Sequence, residues 1–536
     1  MHVVELTLLL LVAVVLAGAS VRWSRLPLPI FLVVVGWAAS FLPGLSAIDV
    51  DPELFLLLFI PPLLFADAWA LPHRDFMRVL RPVLLLALGL VVLTVVAVGY
   101  FMHWLIPSMP LAVAFTLGAI VTPTDAVATV ATTENLPLPQ RVLHIVSAES
   151  LLNDATGLVA FKLAVAAAAT GLFDSSEVAW KFLLLSGGGV ATGMVFWWGE
   201  RQLRQRLLRI GATDPVLQTL LTILTPYAAY IAAEAMQVSG ILAVVAAGLW
   251  ASGQEIKGLS AETRRHSREV WRMLAYVFNG LVFVLLGLQL REMLAGVADY
   301  HPFDLTLYAL ALWVLLMALR IAWVWASAHV RFRLHWGWAG ARTGPDPRRM
   351  FLVSWAAVRG SITLATALSV PAFTSAGLPF PERDLVVFLA AATIILTLAF
   401  NGVPLPWIIR KLDAKSEAYG NPEEHAARAE IARAGLAVLA VARDSLTNTE
   451  DRLFAEQQLR EYEGQIEIHA GKPDSASVHL MRTAMRRQLR LAAIDAERTR
   501  LHELRAGNRI NDETLRVIEA ELDEREMLAS TALVRG

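Results

Sequence analysis

Ala148-Glu149-Ser150-Leu151-Leu152-Asn153-Asp154-Ala155-Thr156-Gly157 sets two carboxylates, a carboxamide and a hydroxyl inside an otherwise apolar segment, 141–170. A run of that length crosses a bilayer as a helix. With each residue turning ~100°, Glu149, Ser150, Asn153, Asp154 and Gly157 share an arc of roughly 140°. Leu151, Leu152, Ala155 and Leu158 cover the other side. A charge near the bilayer centre costs about 3 kcal/mol on insertion scales, so such residues mark function by default. One wall of oxygen ligands suits a hard monovalent cation or a proton. The same strip could instead glue helices together by hydrogen bonds, although glue seldom needs two carboxylates within six residues.

The rest of the chain supports a membrane setting. Of its 536 residues 56% are hydrophobic and only 17% charged, with a mean hydropathy of +0.54. Repeated apolar runs of about twenty residues predict a polytopic all-α membrane protein. The net charge of −1 hides a partition, because residues 412–536 hold 41 of the 93 formal charges. That segment reads as a soluble tail. There is no cysteine, which excludes disulfides, thiolate metal sites and cysteine catalysis. The first apolar run, Val3 to Ser20, lacks a basic start and a small-residue cleavage site, so it reads as a retained helix.

Thirteen transmembrane helices are expected, at about 3–20, 28–44, 52–70, 80–103, 110–132, 141–170, 178–200, 213–235, 239–253, 270–290, 303–330, 348–371 and 384–409. Odd-numbered loops carry twenty Lys and Arg; even-numbered loops carry three, Lys181, Arg291 and Arg383. The positive-inside rule then places the N-terminus outside and the tail in the cytoplasm. In the tail, Asn421-Pro422-Glu423-Glu424 opens a helix, and others are expected after Asn448, from about Asp474 to Gly507-Asn508, and from Asn511. The basic run Arg486-Arg487-Gln488-Leu489-Arg490 is either a contact for anionic lipid or a solvated helix face. His144, His266 and His335 lie near the cytoplasmic side, as pH-tuning groups or as solvated loop residues.

Two spans are interrupted. Thr122-Pro123-Thr124-Asp125 lies inside the fifth, where proline withholds the N–H owed to Ala119 and its ring clashes there. Arg359-Gly360-Ser361 interrupts the twelfth, seven spans later. Interrupted helices in corresponding positions of two halves point to a transport site between inverted repeats, with two crossed broken helices. Asp125 would offset positive helix N-termini there, and Arg359 negative C-termini. A simple proline kink with a snorkelling arginine is the plainer alternative.

At these residues the chain resembles the monovalent cation:proton antiporters of the NHE and NhaP type. The matching pieces are Thr122-Pro123-Thr124-Asp125, Glu149-Ser150-Leu151-Leu152-Asn153-Asp154 and Val358-Arg359-Gly360, with Pro61-Pro62-Leu63-Leu64-Phe65 and Arg320. The likeness covers roughly residues 1–411, a transmembrane antiporter domain, and leaves 412–536 as a cytoplasmic helical tail of regulatory role. It implies a homodimer in a cell (inner) membrane, with a dimer domain of spans 1–3 and 8–10 and a moving core of spans 4–6 and 11–13. It implies that Asp154 binds the cation or protons in competition, with Asp125, Ser150, Asn153 and Thr124 completing the site. Glu149 would pair with Arg320, and Arg359 would be the counter-charge at the crossing. One departure stands out: many relatives place Glu directly after the Pro-Pro motif's Phe, whereas here Ala66 follows and Asp67 comes next. That leaves an ion contact from the third span open, Asp67 sitting either at the site or at the cytoplasmic boundary.

The Asn-Asp pair, in place of two adjacent carboxylates, resembles the electroneutral branch, which exchanges one cation for one H⁺. Na⁺ is the expected cation, with Li⁺ or K⁺ as alternatives; no cofactor, nucleic acid or enzymatic reaction is expected, and lipid is the surrounding partner. Physically, a carboxylate in a partly dry site lets protons compete with a cation near neutral pH. Two other functions use the same residues: an intramembrane aspartyl protease with Asp125 and Asp154 as its dyad, or a cation channel. Against the first, no Gly-x-Gly-Asp occurs; against the second, no carbonyl-filter loop or charged ring does.

Overall fold

The computed structural model describes residues 3–20, 27–41, 52–125, 140–170, 175–252, 259–333, 346–374, 377–412, 422–469, 473–506, 509 and 512–531. Among them every regular element is a helix, and one isolated bridge joins Phe373 and Pro379. The chain divides into two compact units, Met1–Ser416 and Glu417–Gly536.

The first unit begins with α1 (Val3–Ser20), α2 (Leu28–Ala39) and α3 (Pro52–Ala70). Next, α4 (His73–Leu84) runs through a π-helical turn, Leu85–Gly89, into α5 (Leu90–Leu105), followed by α6 (Leu111–Val121), α7 (Gln140–Thr170) and α8 (Ser175–Arg209). Then come α9 (Pro215–Ala235), α10 (Gly240–Ser252), α11 (Ala261–Gly296) and α12 (Pro302–Arg333). It closes with α13 (Pro347–Trp355), α14 (Ser361–Leu368), α15 (Arg383–Thr397), a second π-helical turn at Leu398–Gly402, and α16 (Leu405–Lys411). Among the described residues, seven helical stretches are long and apolar enough to cross a membrane, and four shorter helices are apolar.

Local chemistry explains several boundaries. Asp214 caps α9 by accepting from the Val216 and Leu217 amides at 2.7 and 3.2 Å, with Pro215 in the first turn. Ser260 caps α11 through the Thr263 amide at 3.0 Å, and Asp346 caps α13 through the Arg348 amide at 3.0 Å. In α3 the helix continues through Pro61 and Pro62, which leaves the Leu57 and Leu58 carbonyls without their helical donors. The Tyr227 hydroxyl of α9 donates to the Leu58 carbonyl at 3.1 Å and satisfies one of them. The π-helical turn at Leu85–Gly89 is used similarly: Thr156 of α7 donates to the Ala87 carbonyl at 3.1 Å.

Small residues set the closest helix contacts, as expected where lipid competes for apolar side chains. A Cβ on Gly36 of α2 would lie 3.1 Å from the Gly287 Cα of α11, and one on Gly287 would lie 2.7 Å from the Trp37 amide nitrogen. Gly189 and Gly193 let α8 approach α10 in the same way. Lys162 of α7 is bound by both carboxylate oxygens of Glu234 on α9, at 2.7 and 2.8 Å.

The interrupted spans differ in detail from their sequence reading. α6 stops at Val121 and residues 122–125 are non-helical, while the remainder of the expected fifth span, 126–132, lies outside the described residues. In the expected twelfth span the helix ends at Trp355, four residues before the predicted interruption, and resumes at Ser361. The non-helical stretch is longer than glycine alone requires because its carbonyls are served by partners from other helices, described below.

The second unit comprises α17 (Pro422–Ser445), α18 (Thr449–His469), α19 (Pro473–Ala506) and α20 (Asp512–Thr531). Ile494 and Leu501 pack with Leu522 between α19 and α20. Arg498 reaches Asp523 and Glu526 at 2.6 and 2.7 Å, and Arg525 reaches Glu497 at 2.7 Å.

Candidate functional site

The two non-helical stretches meet. The Asp125 amide donates to the Val358 carbonyl at 2.7 Å, and the Ser361 amide, opening α14, approaches the Asp125 carboxylate at 3.4 Å. From the other stretch, Arg359 Nε donates to the Val121 carbonyl at the end of α6, at 3.1 Å. Asp125 thus faces a positive helix N-terminus and Arg359 a negative C-terminus, the favourable sense of each helix dipole.

Backbone exposed at membrane depth must find partners inside the protein. Here the donors come from far along the chain. Arg320 Nη2 serves the Val353 carbonyl at 3.0 Å, and Asn401 Nδ2 serves Trp355 at 3.1 Å and Ala357 at 3.4 Å. Trp313 fixes Asn401 by donating to its side-chain oxygen at 3.1 Å. The Arg359 amide donates to the Thr397 hydroxyl at 3.0 Å. On the α6 side, Thr122 returns to the Gly118 carbonyl at 2.6 Å, and Ser150 Oγ donates to the Thr124 carbonyl.

The polar wall of α7 presses against this crossing. Asn153 grips Thr124 twice, donating to its hydroxyl at 2.7 Å and accepting from its amide at 3.4 Å. Gly157 permits the approach, since a Cβ there would lie 3.1 Å from the Pro123 ring. Glu149 and Arg320 form a bidentate ion pair, one leg at 2.9 Å, and both side chains are at most 2% exposed. Arg320 therefore neutralises Glu149 and closes the end of α13 together. Two buried charges need this pairing plus further hydrogen bonds to repay their desolvation.

Asp154 is held differently. It is buried, and its Oδ1 accepts no hydrogen bond among the described residues. It lines a cavity with Asp125, Ser150, Thr124 and Ser361, and the same cavity is lined by Asp67 of α3 and Asn279 of α11. A second small cavity, which shares Thr124 with the first, is bordered by Thr94, Thr122, Asn153, Arg320 and Arg359. All eight residues singled out from the sequence thus fall within these two cavities or the ion pair beside them.

Asp67 of α3 lines the same cavity as Asp154. Sequence reading missed Asn279, Asn401, Thr397 and Tyr227. Asn279 had a visible signal, being the only polar side chain between Tyr276 and Gln289. Asn401 had a weaker one; Thr397 and Tyr227 had none. Of the histidines, His266 sits half-buried on α11, while His335 and the His144 side chain lie outside the described residues.

Two helix interruptions that meet beside a buried carboxylate are the arrangement expected of an ion-coupled membrane transporter. The family model for the sodium/hydrogen exchanger transmembrane region matches residues 9–411. A sodium, potassium, lithium and rubidium/H⁺ antiporter of Bacillus pumilus is 34% identical, over 98% of this chain and 78% of that protein. The Bacillus subtilis protein of the same description is 40% identical, over 71% of this chain and 57% of that one. An Escherichia coli protein described as the uncharacterized Na⁺/H⁺ exchanger YjcE is 35% identical, over 97% of this chain and 98% of that one. The sodium proton antiporter MjNhaP1 of Methanocaldococcus jannaschii shares the fold, with a TM-score of 0.61 at 17% identity over 76% of this chain and 98% of that one. The chain belongs to the sodium/hydrogen exchanger family, and it is a transporter, not an enzyme. The protease and channel alternatives gain no support from these relatives.

Proposed function

We propose that this protein exchanges a monovalent cation for H⁺, one for one, by alternating access across a cell (inner) membrane. Na⁺ is the first candidate, with Li⁺ and K⁺ beside it; the names of the two Bacillus relatives extend the class to Rb⁺. The observation that carries the reading is Asp154, a buried carboxylate with an oxygen left free at a polar cavity. A bare carboxylate in that setting binds either a proton or a cation, and both neutralise it. Asp125, Ser150 and Thr124 offer further oxygens, while Asn153 orients Thr124. Glu149 with Arg320 adds no net charge, so only the occupancy of Asp154 changes the charge of the moving part.

Thirteen spans with the N-terminus outside and the tail inside fit the loop charges, and spans 1–3 with 8–10 would form a dimer domain against which spans 4–6 and 11–13 rock. The assembly would be a homodimer in lipid, with residues 412–536 regulating from the cytoplasm. The test is purified protein in liposomes holding an internal pH dye. Adding each cation outside acid-loaded vesicles should alkalinise the lumen with Na⁺, Li⁺ or K⁺. A response to none of them, or one surviving Asp154→Asn, would reject the reading.

A further inference from the structure

We infer that Asn279 is a specificity-determining cation ligand, its side-chain oxygen completing from α11 the shell of an ion held at Asp154. The inference rests on the proposed cation site at Asp154. Asn279 lines the same cavity as Asp154, Asp125 and Ser150 but comes from α11, on a different element from all of them. Its amide is oriented: Nδ2 donates to the Ala275 carbonyl of its own helix at 3.0 Å. The Oδ1 atom accepts no hydrogen bond from a described residue, which leaves it available to an occupant of the cavity. The flanking residues hold α11 in place on this side. Phe278 meets Phe59 of α3 edge to face, with ring centroids 5.4 Å apart, and a Cβ on Gly280 would lie 2.8 Å from Val14 of α1.

A polar side chain amid apolar neighbours at membrane depth is costly unless it is used. Bonding back to Ala275 satisfies one N–H and does nothing for the carbonyl oxygen. Selectivity among monovalent cations depends on the number and field strength of coordinating oxygens. Carboxylates such as Asp154 and Asp67 give a strong field that favours small ions. A neutral amide oxygen raises the ligand number without adding charge, which serves a larger ion best and keeps the exchange free of an extra titrating group. Asn279 therefore widens the cation range toward K⁺.

The test compares Asn279→Leu, which keeps the branched shape and removes the oxygen, with Asn279→Ser, which returns a shorter oxygen. Apparent KM and maximal rate would be read for Na⁺, Li⁺ and K⁺ in the same proteoliposomes, with thermal unfolding and dimer elution as folding controls. Asn279→Leu should raise the KM for K⁺ about tenfold and that for Na⁺ by less, on the scale of one lost polar contact, with maximal rates within about twofold. Asn279→Ser should restore part of the K⁺ affinity. Equal KM changes for all three cations, or none, would overturn the inference, as would a loss confined to stability. Asp154→Asn is assayed alongside. Exchange surviving in that variant rejects the underlying site, whereas its loss together with an unchanged K⁺/Na⁺ ratio in Asn279→Leu rejects the Asn279 assignment alone.

Discussion

The Asp125 amide donates to the Val358 carbonyl at 2.7 Å, joining the two helix interruptions backbone to backbone. A shift of either stretch moves the other, so the charges beside them, Asp125 and Arg359, travel as a unit. Gly360 is what lets them approach, because a Cβ on it would coincide with the Asp125 carboxylate.

Gly360→Ala tests that contact. The added methyl should displace Asp125, costing about 1–3 kcal/mol as overpacking does, and should lower exchange at least tenfold with the protein still folded. Exchange rates equal to wild type would mean that Asp125 yields without consequence.

Asp154→Asn removes the carboxylate and keeps its shape. Folded protein with no cation-dependent proton movement is expected in dye-loaded vesicles. Appreciable residual exchange would move the exchanging group elsewhere, with Asp67 next in line because it shares the cavity.

Glu149 and Arg320 should behave as a coupled pair. Removing one partner strands a buried charge, typically at about 3–5 kcal/mol, and removing both costs less. Glu149→Ala and Arg320→Ala should each lower the thermal midpoint in detergent, and the double variant should recover part of the loss. Recovery should be incomplete, because Arg320 also serves the Val353 carbonyl. Strictly additive losses would contradict the pairing.

One-for-one exchange on a single carboxylate moves no net charge. A tenfold Na⁺ gradient, about 1.4 kcal/mol, should therefore balance a pH difference of about one unit, with or without an imposed membrane potential. An equilibrium displaced by voltage would require a second titrating group in the cycle.

Glycines separate into two kinds. Gly287→Ala should destabilise by about 1–3 kcal/mol through collision with α2 backbone, whereas Gly187 and Gly199 of α8 face open space and alanine there should stabilise the helix by about 0.5–1 kcal/mol. Thermal unfolding of the three variants would check the ordering.

The sequence by itself determined the helical membrane architecture, the polar strip of α7 and the two interruptions. These are one-dimensional properties: apolar run length, a turn of ~100° per residue and a proline's missing N–H act within a few residues of their cause. Glu149 and Arg320 were paired through resemblance, since nothing local links residues 171 apart. Only the tertiary structure decided where the second interruption starts, because Trp355 and Ala357 are relieved of helical partners by Asn401. It alone brought Asp67 and Asn279 to the cavity of Asp154. Helix packing sets those encounters: the face each helix turns to its neighbours depends on the fit of side chains from distant segments, and no spacing along one segment encodes it.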